Sequence, residues 1–178
     1  MNIQCNDICI RNAEEADCAQ LAAWWNDGRV MAHAGFPNGL NTSAEEIAEQ
    51  IADDSDDTIR RLIIEYEGRR IGETSFTVTE DNSAQIGIKI CEPEYQEKGL
   101  GRVILSLLIR ALFAAGHEKI LLDTNLKNTR AQHVYEMLGF QRVRINIDSW
   151  TDQVGGPQSF IDSELTPEHF RSFVPENE

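Results

Sequence analysis

Two glycines and two cationic side chains crowd the stretch Gln96-Glu97-Lys98-Gly99-Leu100-Gly101-Arg102, a composition suited to gripping an anion. Before it lies an alternating apolar run, residues 84–90, and after it a run of helical apolar spacing, residues 103–115. The order is therefore strand, glycine turn, helix. The first four N–H groups of a helix have no intrahelical partner and carry partial positive charge. Gly99 and Gly101 remove the side chains that would keep an anion off those donors, and Lys98 and Arg102 add charge beside them. Glu97 and Leu100 belong to the same turn. A phosphate or pyrophosphate is the natural guest. A P-loop would need Lys-Ser/Thr after its last glycine, where Arg102-Val103 stands, and the dinucleotide fingerprint would need a third glycine where Ile104 stands.

A second stretch follows about a helix and a strand later. Residues 120–123 read as a short buried strand and residues 129–138 as a helix, with Asn128 placed to cap its start and Gly139 to stop it in a left-handed turn. Ala131, Val134, Tyr135 and Leu138 fall at i, i+3, i+4 and i+7, one face of that helix. Tyr135 thus sits on or beside the buried stripe, with a hydroxyl that needs a partner.

Together these stretches resemble the GCN5-related N-acetyltransferase (GNAT) family. Gln96, Gly99 and Gly101 match its Gln/Arg-x-x-Gly-x-Gly/Ala acetyl-CoA motif, and Asn128, Ala131, Tyr135, Gly139 and Phe140 match its Asn-x-x-Ala-x-x-x-Tyr-x-x-x-Gly-Phe motif. The flavour is similar to bacterial enzymes of the ribosomal-protein-alanine and spermidine type. The resemblance implies one GNAT-like α/β (α+β) domain over residues 1–178, with a mixed, mostly antiparallel sheet of about seven strands and helices on both faces. It implies that the fourth strand and the strand at 120–123 splay apart, so that backbone N–H groups near Ile88, Lys89 and Ile90 hold the pantetheine arm and thioester oxygen. It implies acetyl-CoA as cofactor, held by residues 96–102, Asn128, Ala131 and Tyr135, and an N-acetyltransferase acting by direct attack of a primary amine. It also implies Tyr135 as the acid that meets the departing sulfur.

Acetyl transfer to an amine needs a neutral nucleophile, a stabilised oxyanion and a protonated leaving thiolate. An alkylamine of pKa ~10.4 is almost wholly ammonium at neutral pH, so a base or water relay must take its proton. Glu73, on the third strand beside Gly72, is the leading candidate; Asp123, at a strand end where α/β ligands gather, is another, as are His33 and His133. The family's frequent glutamate on the fourth strand is missing, since that strand offers Gln85 and Lys89. Cys91, at the end of the same strand, could carry an acyl group in a ping-pong route, although cysteine is more commonly a small buried hydrophobe. A non-catalytic acyl-CoA sensor would share the cradle and lack the acid and base.

These groups need a frame. Residues 8–11 read as a first strand, and Asn12 or Asp17 caps a helix through Leu21 and Trp25. Residues 26–41 hold several glycine and proline breaks and read as a long loop. With Trp25 at its start and His33 and Phe36 within it, we expect a lid over the acceptor, lined by Trp25, His33, Phe36 and Asp123; the alternative is that Trp24 and Phe36 close the core edge. Ser43-x-x-Glu46 is a capping box, Asp53 to Asp57 an acidic solvated turn, and Glu67-Gly68 a hairpin between strands 61–66 and 69–79. Strands at 141–148 and 158–165 and a short helix opening at Thr166-Pro167 complete the pattern.

The 178 residues, 41% hydrophobic and 26% charged, suit a soluble globular chain, and no apolar run approaches the ~20 residues of a membrane span. Four cysteines without paired spacing predict neither a metal site nor a disulfide frame, and cytoplasmic residence follows. A net charge of −14 argues against nucleic acid and suits a cationic small-molecule amine or basic protein tail. The sequence is compatible with a homodimer and does not fix the oligomeric state.

Overall fold

The computed structural model describes residues 1–174. Its frame is one eight-stranded sheet ordered β1-β2-β3-β4-β5-β6-β8-β7. In chain order the strands are β1 (Asn2–Cys5), β2 (Ile8–Asn12), β3 (Ile59–Tyr66), β4 (Arg69–Val78), β5 (Ala84–Ile90), β6 (Ile120–Asn125), β7 (Gln141–Thr151) and β8 (Pro157–Leu165). The helices are α1 (Cys18–Asn26), α2 (Gly28–Met31), α3 (Ala44–Ala52), α4 (Leu100–Ala114) and α5 (Thr129–Leu138). The sequence predicts seven strands; the eighth is β1, too short for an alternating pattern to stand out, closed onto β2 through Asn6 at φ 50°.

The two faces of the sheet follow from alternation along each strand. On β3, Leu62 and Ile64 join Ile71, Phe76, Ile86, Ile120 and Leu122 against α4, whose Ile104, Leu105, Leu108, Ile109 and Leu112 are all within 1% of full burial. Ile63, between them, turns the other way and packs with Leu21, Trp24, Ile47 and Cys91 under α1 and α3. Helices therefore cover both faces. The β3–β4 hairpin turns through Glu67 and Gly68, both at positive φ (49° and 74°), the conformation that a two-residue turn with strand-matching twist requires.

All strand pairs are antiparallel except β5–β6, which is parallel and joined only at Ala84–Ile120 and Gln85–Leu121. Beyond those rungs, 86–90 and 122–125 diverge. The expected splay is present, and it faces the start of α4.

Three local expectations change. Asp17 stands at the cap position of α1 but makes no cap hydrogen bond. Its carboxylate instead takes two bonds from Arg11 (2.7 and 2.9 Å) and a contact from Arg70 at 2.7 Å, tying β2 to β4. The acidic turn is not simply solvated: the Asp54 side chain is 3% exposed and clamps Arg61. Residues 26–41 are not one irregular loop, because Asp27 accepts from the Arg29 N–H and starts α2, which runs into a single tight turn at Ala32–Ala34.

Candidate active site

The cradle is built by local geometry. Gln96 donates from its side chain to the Ile90 carbonyl at 2.8 Å, fastening the turn to the end of β5. Glu97 (φ 61°) and Gly99 (φ 77°) are both left-handed, so the chain doubles back and Gly99 becomes the N-cap of α4. Successive turns of this kind aim backbone N–H groups into one concavity. A Cβ added at Gly101 would meet only Ile90 Cδ1, at 3.8 Å. Protein packing does not demand a glycine there, and the room it leaves belongs to the cleft.

The cations of the turn rest on aromatic rings: Lys98 Nζ lies 5.5 Å from the Tyr95 ring centre and the Arg102 guanidinium 5.1 Å from that of Phe173. Both still line the cleft. A third cation, Arg130, comes from the first turn of α5 and bonds Glu97 at 2.9 Å across the cradle. Asn128 caps α5 by accepting from the Ala131 N–H at 3.2 Å, and Gly139 (φ 100°) ends it, where a Cβ would lie 1.9 Å from the His169 carbonyl oxygen.

From this cradle a cavity of about 1160 Å³ runs through the β5–β6 gap to the other face of the sheet. Ile88, Lys89, Ile90, residues 96–102, Asn128, Ala131 and Tyr135 line it, and so do His33 and Asp123. Tyr135 packs edge-on against Phe140, centroids 5.7 Å apart. Burial, then the Asp123 carboxylate, push its phenol up to about 12, so the hydroxyl stays protonated at neutral pH. Asp123 has its own pKa raised, first by the protein walls around its carboxyl and then by Asp162, its register partner on β8. Thr124, 6% exposed in the opened part of β6, has a hydroxyl with no hydrogen-bond partner among the described residues.

The far wall contains groups that the sequence did not single out. Asp162 accepts from Asn146 at 2.8 Å, and Trp150 stacks on Phe160 at 5.6 Å. Trp150 also lies against Gly35, where a Cβ would stand 1.8 Å from the indole. Gln153 bonds the Gly35 and Gly39 carbonyls and the Asn38 N–H, at 2.9 to 3.0 Å, so the β7–β8 turn is fastened to the 26–41 segment. Arg29 enters from α2. The only signal of this wall in the sequence is the i, i+2 pair Phe160 and Asp162, on one face of a strand.

Other candidates lie elsewhere. Glu73 is 8% exposed and not on the cleft wall; it accepts from Trp25 Nε1 at 2.8 Å and from Lys89 Nζ at 3.1 Å. Trp25 is thereby engaged beneath the cleft, and neither it nor Phe36 lines the cavity. Of the three residues expected in a lid, His33 alone lines the cavity. Cys91 is 3% exposed, and burial, helped by Glu73, drives its thiol far above the usual range, so it is a packing residue and not an acyl carrier. His133 lies on the exposed side of α5.

Comparison with known proteins agrees with this geometry. A sequence model of the acetyltransferase (GNAT) domain matches residues 7–141. The ribosomal protein bS18-alanine N-acetyltransferase of Escherichia coli (strain K12) is 34% identical over 90 residues, covering 49% of this chain and 60% of that protein, so the match spans less than two thirds of the relative's length. The crystal structure of spermidine N-acetyltransferase from Vibrio cholerae, in complex with CoA and spermine, superposes with a TM-score of 0.82 at 22% identity, over 92% of this chain and 98% of that one. Ribosomal-protein-S5-alanine acetyltransferase from Vibrio fischeri gives 0.81 at 15% identity, over 96% and 99%. At those identities the two structures speak for the fold. The cradle, the split sheet and the matched domain lead to one statement: the chain belongs to the acetyltransferase (GNAT) domain family.

Proposed function

We propose that the protein is a single-domain N-acetyltransferase that moves an acetyl group from acetyl-CoA to a primary amine by direct attack. The observation that carries this reading is the one cavity that joins an anion cradle to a tyrosine and an aspartate through a gap in the sheet. Acetyl-CoA would supply an activated acyl carbon and a thiolate leaving group. The α4 N-terminus, with Gly99, Gly101 and the nearby Lys98, Arg102 and Arg130, suits its diphosphate. The edge of β5 that β6 leaves at Ile88–Ile90 suits its amide-bearing arm.

Asp123 takes the amine proton, directly or through water. It lines the cavity beside Tyr135, and its raised pKa makes it a stronger base than a free carboxylate. Glu73, already committed to Lys89 and Trp25, holds that pair in place instead. Tyr135 presents a neutral O–H to the sulfur. Burial that raises the phenol raises a neighbouring thiol too, which keeps donor and acceptor matched.

The acceptor is a small-molecule amine or an amine on a basic protein or peptide. Asp123 and Asp162 supply negative charge at its end of the cavity, and the named relatives act on a ribosomal protein's alanine and on spermidine. We place the protein in the cytoplasm, in keeping with four cysteines outside any disulfide; no helix of the described residues is long and apolar enough to cross a membrane. A homodimer is supported by exposed Val143, Ile145 and Ile147 on β7, the last strand of the sheet; light scattering would read it.

The deciding measurement is thiol release from acetyl-CoA with a panel of amines, beside calorimetric binding of acetyl-CoA. We expect turnover with at least one cationic amine, a loss of roughly 10²-fold or more in Tyr135→Phe, and no coenzyme binding by Gly101→Glu. Tight binding without turnover on any amine would favour the sensor.

A further inference from the structure

Two buried hydroxyls in this protein are spent on protein. Thr74 donates to the Gly87 carbonyl at 2.7 Å, and Ser106 donates to Arg102 and accepts from the Phe173 N–H. The Thr124 hydroxyl is not: the residue is 6% exposed, and its Oγ1 is the one fully buried side-chain polar atom among the described residues without a partner. Its surroundings explain why. Across β8 its register partner is Ile161, which is apolar. On the other side β5 has already withdrawn, since the last shared rung is Gln85–Leu121. The residue that continued pairing would bring opposite is Ile88, apolar as well. Leaving a buried hydroxyl unpaired is unfavourable, and valine has nearly the same shape without that cost. Thr124 and Tyr135 both line the main cavity, in the opened part of the sheet.

We propose that Thr124 is a ligand-binding residue whose hydroxyl donates a hydrogen bond to the thioester end of the acyl carrier, beside Tyr135. This rests on the reading that acetyl-CoA threads the β5–β6 gap. A thioester end offers acceptor atoms and no strong donor, which fits a hydroxyl with its hydrogen uncommitted. A small satellite pocket of about 10 Å³ touches Thr124, Tyr135, Phe140 and Ile161. It has room for one water at most, and a water there is the rival partner. The two partners predict opposite signs for the stability of a valine variant.

The test compares wild type, Thr124→Val and Thr124→Ser. In Thr124→Val without ligand, the melting temperature should rise by about 2–4 °C, because an unpaired buried group has gone. Its affinity for acetyl-CoA should fall about tenfold, the value of one hydrogen bond in a dry site. Its affinity for 3′-phospho-ADP, the nucleotide half of the coenzyme without the arm, should be unchanged. Thr124→Ser should recover most of the acetyl-CoA affinity. The inference is overturned if Thr124→Val binds acetyl-CoA as wild type does, if 3′-phospho-ADP loses affinity equally, or if the unliganded variant melts lower, which would assign the hydroxyl to a buried water. Wild type that binds acetyl-CoA yet acetylates no amine removes the transferase reading and leaves this contact standing. Wild type with no affinity for acetyl-CoA removes both.

Discussion

Asp17, at the foot of α1, and Asp123, in the opened stretch of β6, are aspartates walled by protein and displaced in opposite directions. Burial works to raise the pKa of Asp17, but the Arg11 guanidinium, the Glu14 N–H and Arg70 outweigh it and hold the carboxyl below its usual range. Asp123 opens onto the cleft, and the walls around its carboxyl, with another carboxylate, Asp162, in place of a cation, raise its pKa. Desolvation raises both, so the neighbours decide the sign. One arrangement fastens the paired half of the sheet. The other places the proposed proton acceptor where the sheet has come apart, a pattern more typical of working sites than of structural ones.

That contrast can be broken at either end. The largest effect should come from Asp17→Ala, which strands Arg11 beside Glu65 alone and leaves Arg70 without its partner. We expect a loss of about 3 kcal/mol in urea unfolding, the low end for broken buried pairs because Arg70 is partly open to solvent. The folded fraction should bind acetyl-CoA with wild-type affinity. A loss under about 1 kcal/mol would mean that the knot is only a surface ion pair.

Asp123→Asn should do the reverse. Turnover should fall by about 10²-fold, while the unfolding midpoint holds or rises, since a charge whose ionised form is disfavoured has been removed. A stability loss with unchanged turnover would exchange the roles assigned to the two residues.

Smaller effects sharpen the comparison through pH. Asp17 has a folded pKa below its unfolded value, so its contribution is complete above the unfolded pKa of about 3.9 and disappears as pH falls through the folded one. Acid unfolding should therefore be shallower in Asp17→Asn than in wild type. For Asp123 the raised value should place the acid limb of kcat/KM above that of an ordinary carboxylate. Asp162→Asn should move that limb to lower pH, and an unmoved limb would show that some other group is the base.

The cofactor half of the site was legible because each of its parts is local. The turn at Gly99, the Asn128 cap and the Gly139 stop are fixed by conformation and bonding within a few residues. The acceptor half was not. Asp162 reaches Asp123 only because β8 enters between β6 and β7, a matter of strand order that no spacing reveals. Glu73 read as a base on strand position alone, which could not foresee that Lys89 sits opposite it on β5. Aromatic content marked the 26–41 segment as a lid, yet Trp25 is tied down by Glu73, and the tryptophan that meets the cavity is Trp150, far along the chain. Local rules brought together the groups proposed to hold a coenzyme, whereas the proposed acceptor wall waited on long-range pairing.

The place of β8 also bears on how the molecule comes into being. A ribosome delivers β7 first, and the strand it must lie against arrives later, after the turn at residues 152–156. A nascent chain halted before residue 157 would own most of the proposed diphosphate grip, without the Phe173 ring under Arg102, and half of the proposed amine pocket, with the exposed valine and isoleucines of β7 lacking their neighbour. Translation pauses or truncations in that window should thus yield species that hold coenzyme and cling to other proteins without modifying them.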